Sequence, residues 1–147
     1  MKSRYLLSAV LMLFFASISF AQITINGSGS YANIQAAINA SVDGDIIGIP
    51  AGTFTESLTI SKSLTFIGSG PTSEPTTIIT STASPMISLT ATGKDYTFQN
   101  LIIHGNVTNL GIRAGGTVDI NSLTLQDVIA RNCKVAVYLA ENWPTGG

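Results

Sequence analysis

The side chains able to do chemistry are few and scattered. The chain has one histidine, His104, one cysteine, Cys133, and eight carboxylates: Asp43, Asp45, Glu56, Glu74, Asp95, Asp119, Asp127 and Glu141. Calcium wants six or more oxygen ligands, usually with several carboxylates among them. The closest approach to such a set is Asp95 with Asp119, 24 residues apart, which would stack only if the chain coils with that period. A solvated turn position is the competing reading of both. His104 stands in Ile103-His104-Gly105 with no nucleophile or carboxylate beside it in sequence, which suits a turn histidine. A single cysteine excludes an intramolecular disulfide framework and a Cys-based zinc site, and Cys133 reads as a small buried hydrophobe. No cofactor and no metal are therefore expected. What remains is a basic and aromatic set: Arg113, Arg131, Lys134 and Tyr138.

Whether those residues meet depends on the elements that carry them. From Asp45 onward, short β-branched segments alternate apolar and polar positions, as in Leu58-Thr59-Ile60, Leu64-Thr65-Phe66 and Leu123-Thr124-Leu125. Alternation means one face in and one face out. Glycine and asparagine punctuate the joints. The segments recur: Leu64, Ile87, Ile112 and Val137 are spaced by 23, 25 and 25 residues, and Ile78, Leu101 and Val128 by 23 and 27. The best internal match sets Phe98-Gln99-Asn100-Leu101-Ile102 against Leu125-Gln126-Asp127-Val128-Ile129. A period of about 25 residues with two or three strands per period predicts a solenoid of stacked parallel strands. Strands are expected throughout, Val118–Ile120 among them. Before them, Tyr31, Ile34, Ala37 and Ile38 fall at helical spacing, which predicts a helix over about 31–40 with Ser28 or Ser30 as N-cap. The expected fold is all-β: a right-handed parallel β-helix of about four coils, led by a short capping α-helix.

Residues 1–21 have a different character. Lys2 and Arg4 precede an apolar run from Tyr5 to Phe15, and Ser19-Phe20-Ala21 places small residues before Gln22. That is the layout of a signal peptide, and its apolar core falls short of the ~20 residues that span a bilayer. The expected division is 1–21 as signal peptide and 22–147 as the N-terminal part of the β-helix domain, with coils over about 45–147. The expected localisation is secreted or cell-surface, with no stable membrane insertion after cleavage. Removing Lys2 and Arg4 leaves five basic against eight acidic residues, a net −3. That balance, with a pI of 5.6, argues against nucleic-acid binding, which needs a basic patch.

The run Tyr31-Ala-Asn-Ile-Gln-Ala-Ala-Ile-Asn-Ala40, then Asp43-Gly44-Asp45-Ile46-Ile47, Pro50-Ala51-Gly52-Thr53-Phe54-Thr55-Glu56 and Ser63-Leu64-Thr65-Phe66-Ile67-Gly68, resembles the opening of pectate-lyase-like β-helix proteins. The resemblance covers residues 31–70 and implies a capping helix leading into the first coil. Gly52-Thr53-Phe54-Thr55-Glu56 is similar to the Gly-x-Tyr-x-Glu signature of pectinesterases, with Phe54 in place of Tyr. In those enzymes two aspartates and an arginine on later coils do the chemistry, and their motifs have no counterpart here. Glu56 is a candidate substrate-binding residue on that likeness, or a polar residue closing the first coil.

With Ile112 and Val137 pointing inward, Arg113 and Tyr138 point outward from neighbouring coils on one face. A tyrosine ring stacks on a pyranose and a guanidinium pairs with hydroxyls or a uronate. Arg113 and Tyr138 are thus the candidate sugar-binding pair, against ordinary surface decoration. Two functions follow as expectations. One is an exported β-helix module that binds polysaccharide or serves as a surface scaffold, with no catalytic constellation. The alternative is the N-terminal fragment of a pectinesterase or polysaccharide lyase. The stop at Glu141-Asn-Trp-Pro-Thr-Gly-Gly147 inside a turn favours an apparently truncated solenoid, for which poor solubility or oligomers are expected.

Overall fold

Alternating Ile, Leu and Thr build a parallel β-helix of four coils in the computed structural model, which describes residues 22–140. The expected signal peptide, residues 1–21, and the terminal segment 141–147 lie outside the described residues.

The chain opens on a hairpin, β1 (Ile23–Ile25) and β2 (Ser28–Tyr31), followed by helix α1 (Ile34–Ala40). The first coil is β3 (Ile46–Gly48), β4 (Gly52–Thr55) and β5 (Leu58–Ile60). The second is β6 (Leu64–Ile67), β7 (Thr77–Thr80) and β8 (Ile87–Leu89). In the third and fourth coils the first two strands merge into β9 (Asp95–His104) and β11 (Ser122–Arg131), followed by β10 (Leu110–Ala114) and β12 (Val135–Leu139). Three faces result. The first stacks β3, β6 and the leading halves of β9 and β11; the second stacks β4, β7 and their trailing halves; the third stacks β5, β8, β10 and β12. The corner between the first two faces is turned inside β9 and β11 by Asn100 and Asp127, with φ of 54° and 53°. Asn and Asp tolerate this left-handed backbone better than other side chains with a Cβ.

Inward positions interdigitate along the axis. Ile47, Phe66 and Phe98 lie in register, and the two phenyl rings stack with centroids 4.9 Å apart and planes 8° from parallel. Leu58, Ile87 and Ile112 form the matching column on the third face and are all buried. Ile34, Ala37 and Ile38 of α1 close the N-terminal end of this core.

Several local expectations are corrected. The helix runs over 34–40 with Asn33 as N-cap, its side chain accepting the Ala36 N–H at 2.7 Å. Tyr31, read as the first apolar position of the helix, ends β2 and pairs with Ile23. Val118–Ile120 is not a strand; it is part of the turn from β10 to β11, with Val118 and Ile120 partly buried against the core. Ile87, Ile112 and Val137 are equivalent as expected, but Leu64 is on the first face opposite Tyr96, and Leu58 takes its place on the third. Leu101 matches Val128, whereas Ile78 pairs with Ile102. A one-residue shift reverses which side chain points inward. Thr77 thus takes the inward position, where its hydroxyl bonds the carbonyls of Ile49 (3.2 Å) and Pro50 (2.8 Å). The match between Phe98–Ile102 and Leu125–Ile129 is reproduced by the strand register.

Candidate functional site

The third face carries a column of outward side chains: Thr59, Ser88, Arg113 and Tyr138, in register on β5, β8, β10 and β12. They stand outside because Leu58, Ile87, Ile112 and Val137, one residue earlier, point inward, and strand side chains alternate. Successive members are separated by the strand spacing of about 4.8 Å. Arg113 and Tyr138 are therefore direct neighbours, as their sequence positions led us to expect. Both are exposed, the tyrosine to 44%. None of the four strands contains an Asp or Glu, and Arg113 is their one charged residue.

Arg113 is placed by a glycine. A Cβ at residue 115 would come within 2.5 Å of Arg113 Nε and 2.9 Å of its Nη2, so the side chain lies over a surface that only glycine leaves clear. Beside it is a shallow hollow of about 170 Å³ lined by Ser88, Leu89, Thr90, Arg113, Gly115 and Val118. Among the described residues, Arg113 makes no hydrogen bond and no ion pair, so its five N–H donors face outward unspent. Ser88 was legible in sequence, since it follows Ile87 as Arg113 follows Ile112. Gly115 was not, because its role depends on the arginine rotamer.

Glu56 is held elsewhere. It lies in the corner between β4 and β5, and its Oε1 and Oε2 accept the N–H groups of Ile34 and Gln35, each at 3.0 Å. Both oxygens thus serve the first turn of α1, two coils away from Arg113. Lys62, after β5, does the complementary work: its ammonium donates to the carbonyls of Ile38, Asn39 and Ser41 at 2.6–3.0 Å. Gln35 bonds both backbone groups of Thr59, at 2.8 and 3.2 Å, in place of a neighbouring strand.

The other chemistry-bearing residues are dispersed. On the second face His104 is in register with Arg131, and its Nε2 lies 3.0 Å from Asn132 Nδ2. Asp95 is paired with Ser122, whose hydroxyl donates to it at 2.6 Å, and not with Asp119. Cys133 is half-buried in the corner after β11. Among the described residues no three His, Cys, Asp or Glu side chains converge. The N-terminal end carries the shifted acids. Asp43 is held below the usual carboxylate range by its hydrogen bond from Lys94, at 2.7 Å, and by the Ser63 N–H. Asp45 is lowered by the Val42 N–H and the Asn26 amide. Burial raises the phenol of Tyr96. A larger hollow of about 470 Å³ lies between the β10–β11 turn and the end of β12, with largely aliphatic walls and Asp119 as the one titratable group among the described residues that line it. No family model, curated protein or solved structure matches the chain.

Proposed function

We propose that this chain is an exported β-helix module that binds polysaccharide along its third face. The observation that carries the reading is the direct pairing of Arg113 with Tyr138 on an acid-free sheet. The exposed ring offers an apolar plate for the face of a pyranose, and the guanidinium beside it offers donors in a fixed fork for hydroxyls or a uronate. Ser88 and Thr59 continue the line of hydrogen-bonding groups along the solenoid axis, so a glycan lying along the axis meets hydroxyls on the first two coils and the arginine–tyrosine pair on the next two. Flat, open and without a convergent acid–base pair, the face suits holding a chain more than cutting one. A surface fold of this kind does not itself imply a ligand; the residue column is the ground for the proposal.

The test is affinity electrophoresis and calorimetry of the full chain with polygalacturonate and with neutral glucans. R113A and Y138A are each expected to weaken binding about tenfold, ~1.4 kcal/mol, in keeping with a small number of dominant contacts. R131A, on the second face, is expected to bind as the parent does. Equal binding by R113A, Y138A and the parent, or no binding to any polysaccharide, would overturn the reading. Release of shortened or unsaturated products would replace it with the enzyme alternative.

A further inference from the structure

Asn26 and Gly27 form the two-residue loop of the β1–β2 hairpin, with φ of 51° and 75°. Positive values at both positions are the type I′ geometry that follows strand twist, and Asn-Gly is its preferred dipeptide. The same dipeptide is chemically weak. Glycine has no Cβ to obstruct its own amide nitrogen as that nitrogen approaches the preceding side-chain carbonyl carbon, and no atom of the described residues lies within 4 Å of the Cβ position at Gly27.

In the folded chain the Asn26 side chain is latched. Its Nδ2 donates to Asp45 Oδ1 at 2.7 Å and its Oδ1 accepts the Ile46 N–H at 2.9 Å. The Asn26 backbone N–H donates to the Ile46 carbonyl at 2.8 Å. These three bonds fix the hairpin loop to the start of β3, beside the ladder in which Thr24 and Ile25 pair with Gly48 and Ile47. Asp45 is itself anchored, since its Oδ2 accepts the Val42 N–H at 2.8 Å.

We propose that Asn26 is a self-modification site: it deamidates when the latch opens, and the carboxylate formed repels Asp45 and keeps the hairpin from closing again. In the first step the Gly27 nitrogen bonds to Asn26 Cγ, the Cγ–Nδ2 bond breaks, and ammonia leaves with the amide proton. Water then opens the resulting imide at either carbonyl, leaving an aspartyl or isoaspartyl carboxylate at residue 26. No oxidant or reductant is involved. A donor to Asp45 is thereby replaced by a like charge at hydrogen-bonding distance, which costs both the bond and the repulsion. The outcome is a chain whose β3 edge, next to the exposed Ile46, is free to accept another strand.

The experiment follows residue 26 by peptide mass spectrometry while the full chain is held at mildly alkaline pH. Deamidation is expected to be at least about tenfold slower in the folded parent than in D45A or in denaturant, because reaction requires local opening. The other asparagines should be unaffected by D45A. Equal rates in all three states would overturn the latch. Thermal melts test the second half: N26D is expected to lower the midpoint by about 4–8 °C and N26D/D45N to recover most of it. The same loss in both backgrounds would overturn the repulsion. Should N26D fail to fold, folding of N26D/D45N supports the proposal and its failure refutes it.

Discussion

Two single residues separate binding from stability. Gly115 has no side chain to bury, yet the Arg113 guanidinium rests where its Cβ would be. The obstructing atoms belong to the far end of a flexible side chain, so G115A is expected to move the arginine and leave the fold intact. A binding loss approaching that of R113A, with a thermal midpoint within about 2 °C of the parent, is the expected outcome; melts and affinity electrophoresis on one preparation check it. Asn100 poses the opposite case. Its Nδ2 donates to the carbonyl of Gly70 at 2.8 Å, while its Oδ1 is buried with no partner among the described residues. The residue at the equivalent corner of the next coil is Asp127, which when ionised has no proton to donate. D127N would supply that donor and keep the left-handed backbone that Asn adopts readily. A gain of about 1 kcal/mol in denaturant unfolding is expected; an unchanged midpoint would show that the two side chains do not meet.

At the scale of elements, α1 is a seven-residue helix, too short to stand alone, and it is held by three polar clamps beside and along β5. Glu56 takes its first amides, Lys62 its last carbonyls, and Gln35 sits along the strand as a substitute neighbour. E56A is expected to cost about 1–2 kcal/mol through lost capping, measured by urea unfolding. The acid side of the same end is set by Asp43 and Asp45, whose carboxyls are held below the ordinary aspartate range in the folded chain by the hydrogen bonds they accept. Groups lowered on folding contribute stability above their unfolded pKa and lose it as pH falls through the folded one. The midpoint is therefore expected to fall below about pH 4, and less steeply in D43N/D45N. The helix was legible because Ile34, Ala37 and Ile38 are spaced for one buried stripe. The hairpin before it was not read: Asn26-Gly27 is a hairpin signal, but Ser28-Gly-Ser-Tyr31 offers no apolar alternation to mark a strand. Glu56 drew attention through a motif likeness, and its helix-capping role follows from a long-range contact that local pattern does not contain.

Over the whole molecule, the repeat was legible because most inward positions carry an apolar residue to mark them, buried Thr77 being an exception, and the solenoid leaves little freedom once that ladder is known. The slips, at Leu64 and Ile78, came where corners of unequal length moved the phase, which the period averages out. A stacked solenoid has stability that is roughly a sum of coil and interface terms, so position along the axis should decide the cost of a core mutation. Phe98 is fully buried, stacked on Phe66 from the coil before. Leu125 is its in-register counterpart in the fourth coil and is 41% exposed. F98A is therefore expected to cost about 3–5 kcal/mol, while L125A costs under about 1 kcal/mol. Amide exchange should follow the same gradient, slowest around Phe66, Ile87 and Phe98 and fastest in β12, where Leu139 is 49% exposed. Equal costs for the two alanine variants would mean that Leu125 is packed as fully as Phe98 and that no such gradient runs along the axis.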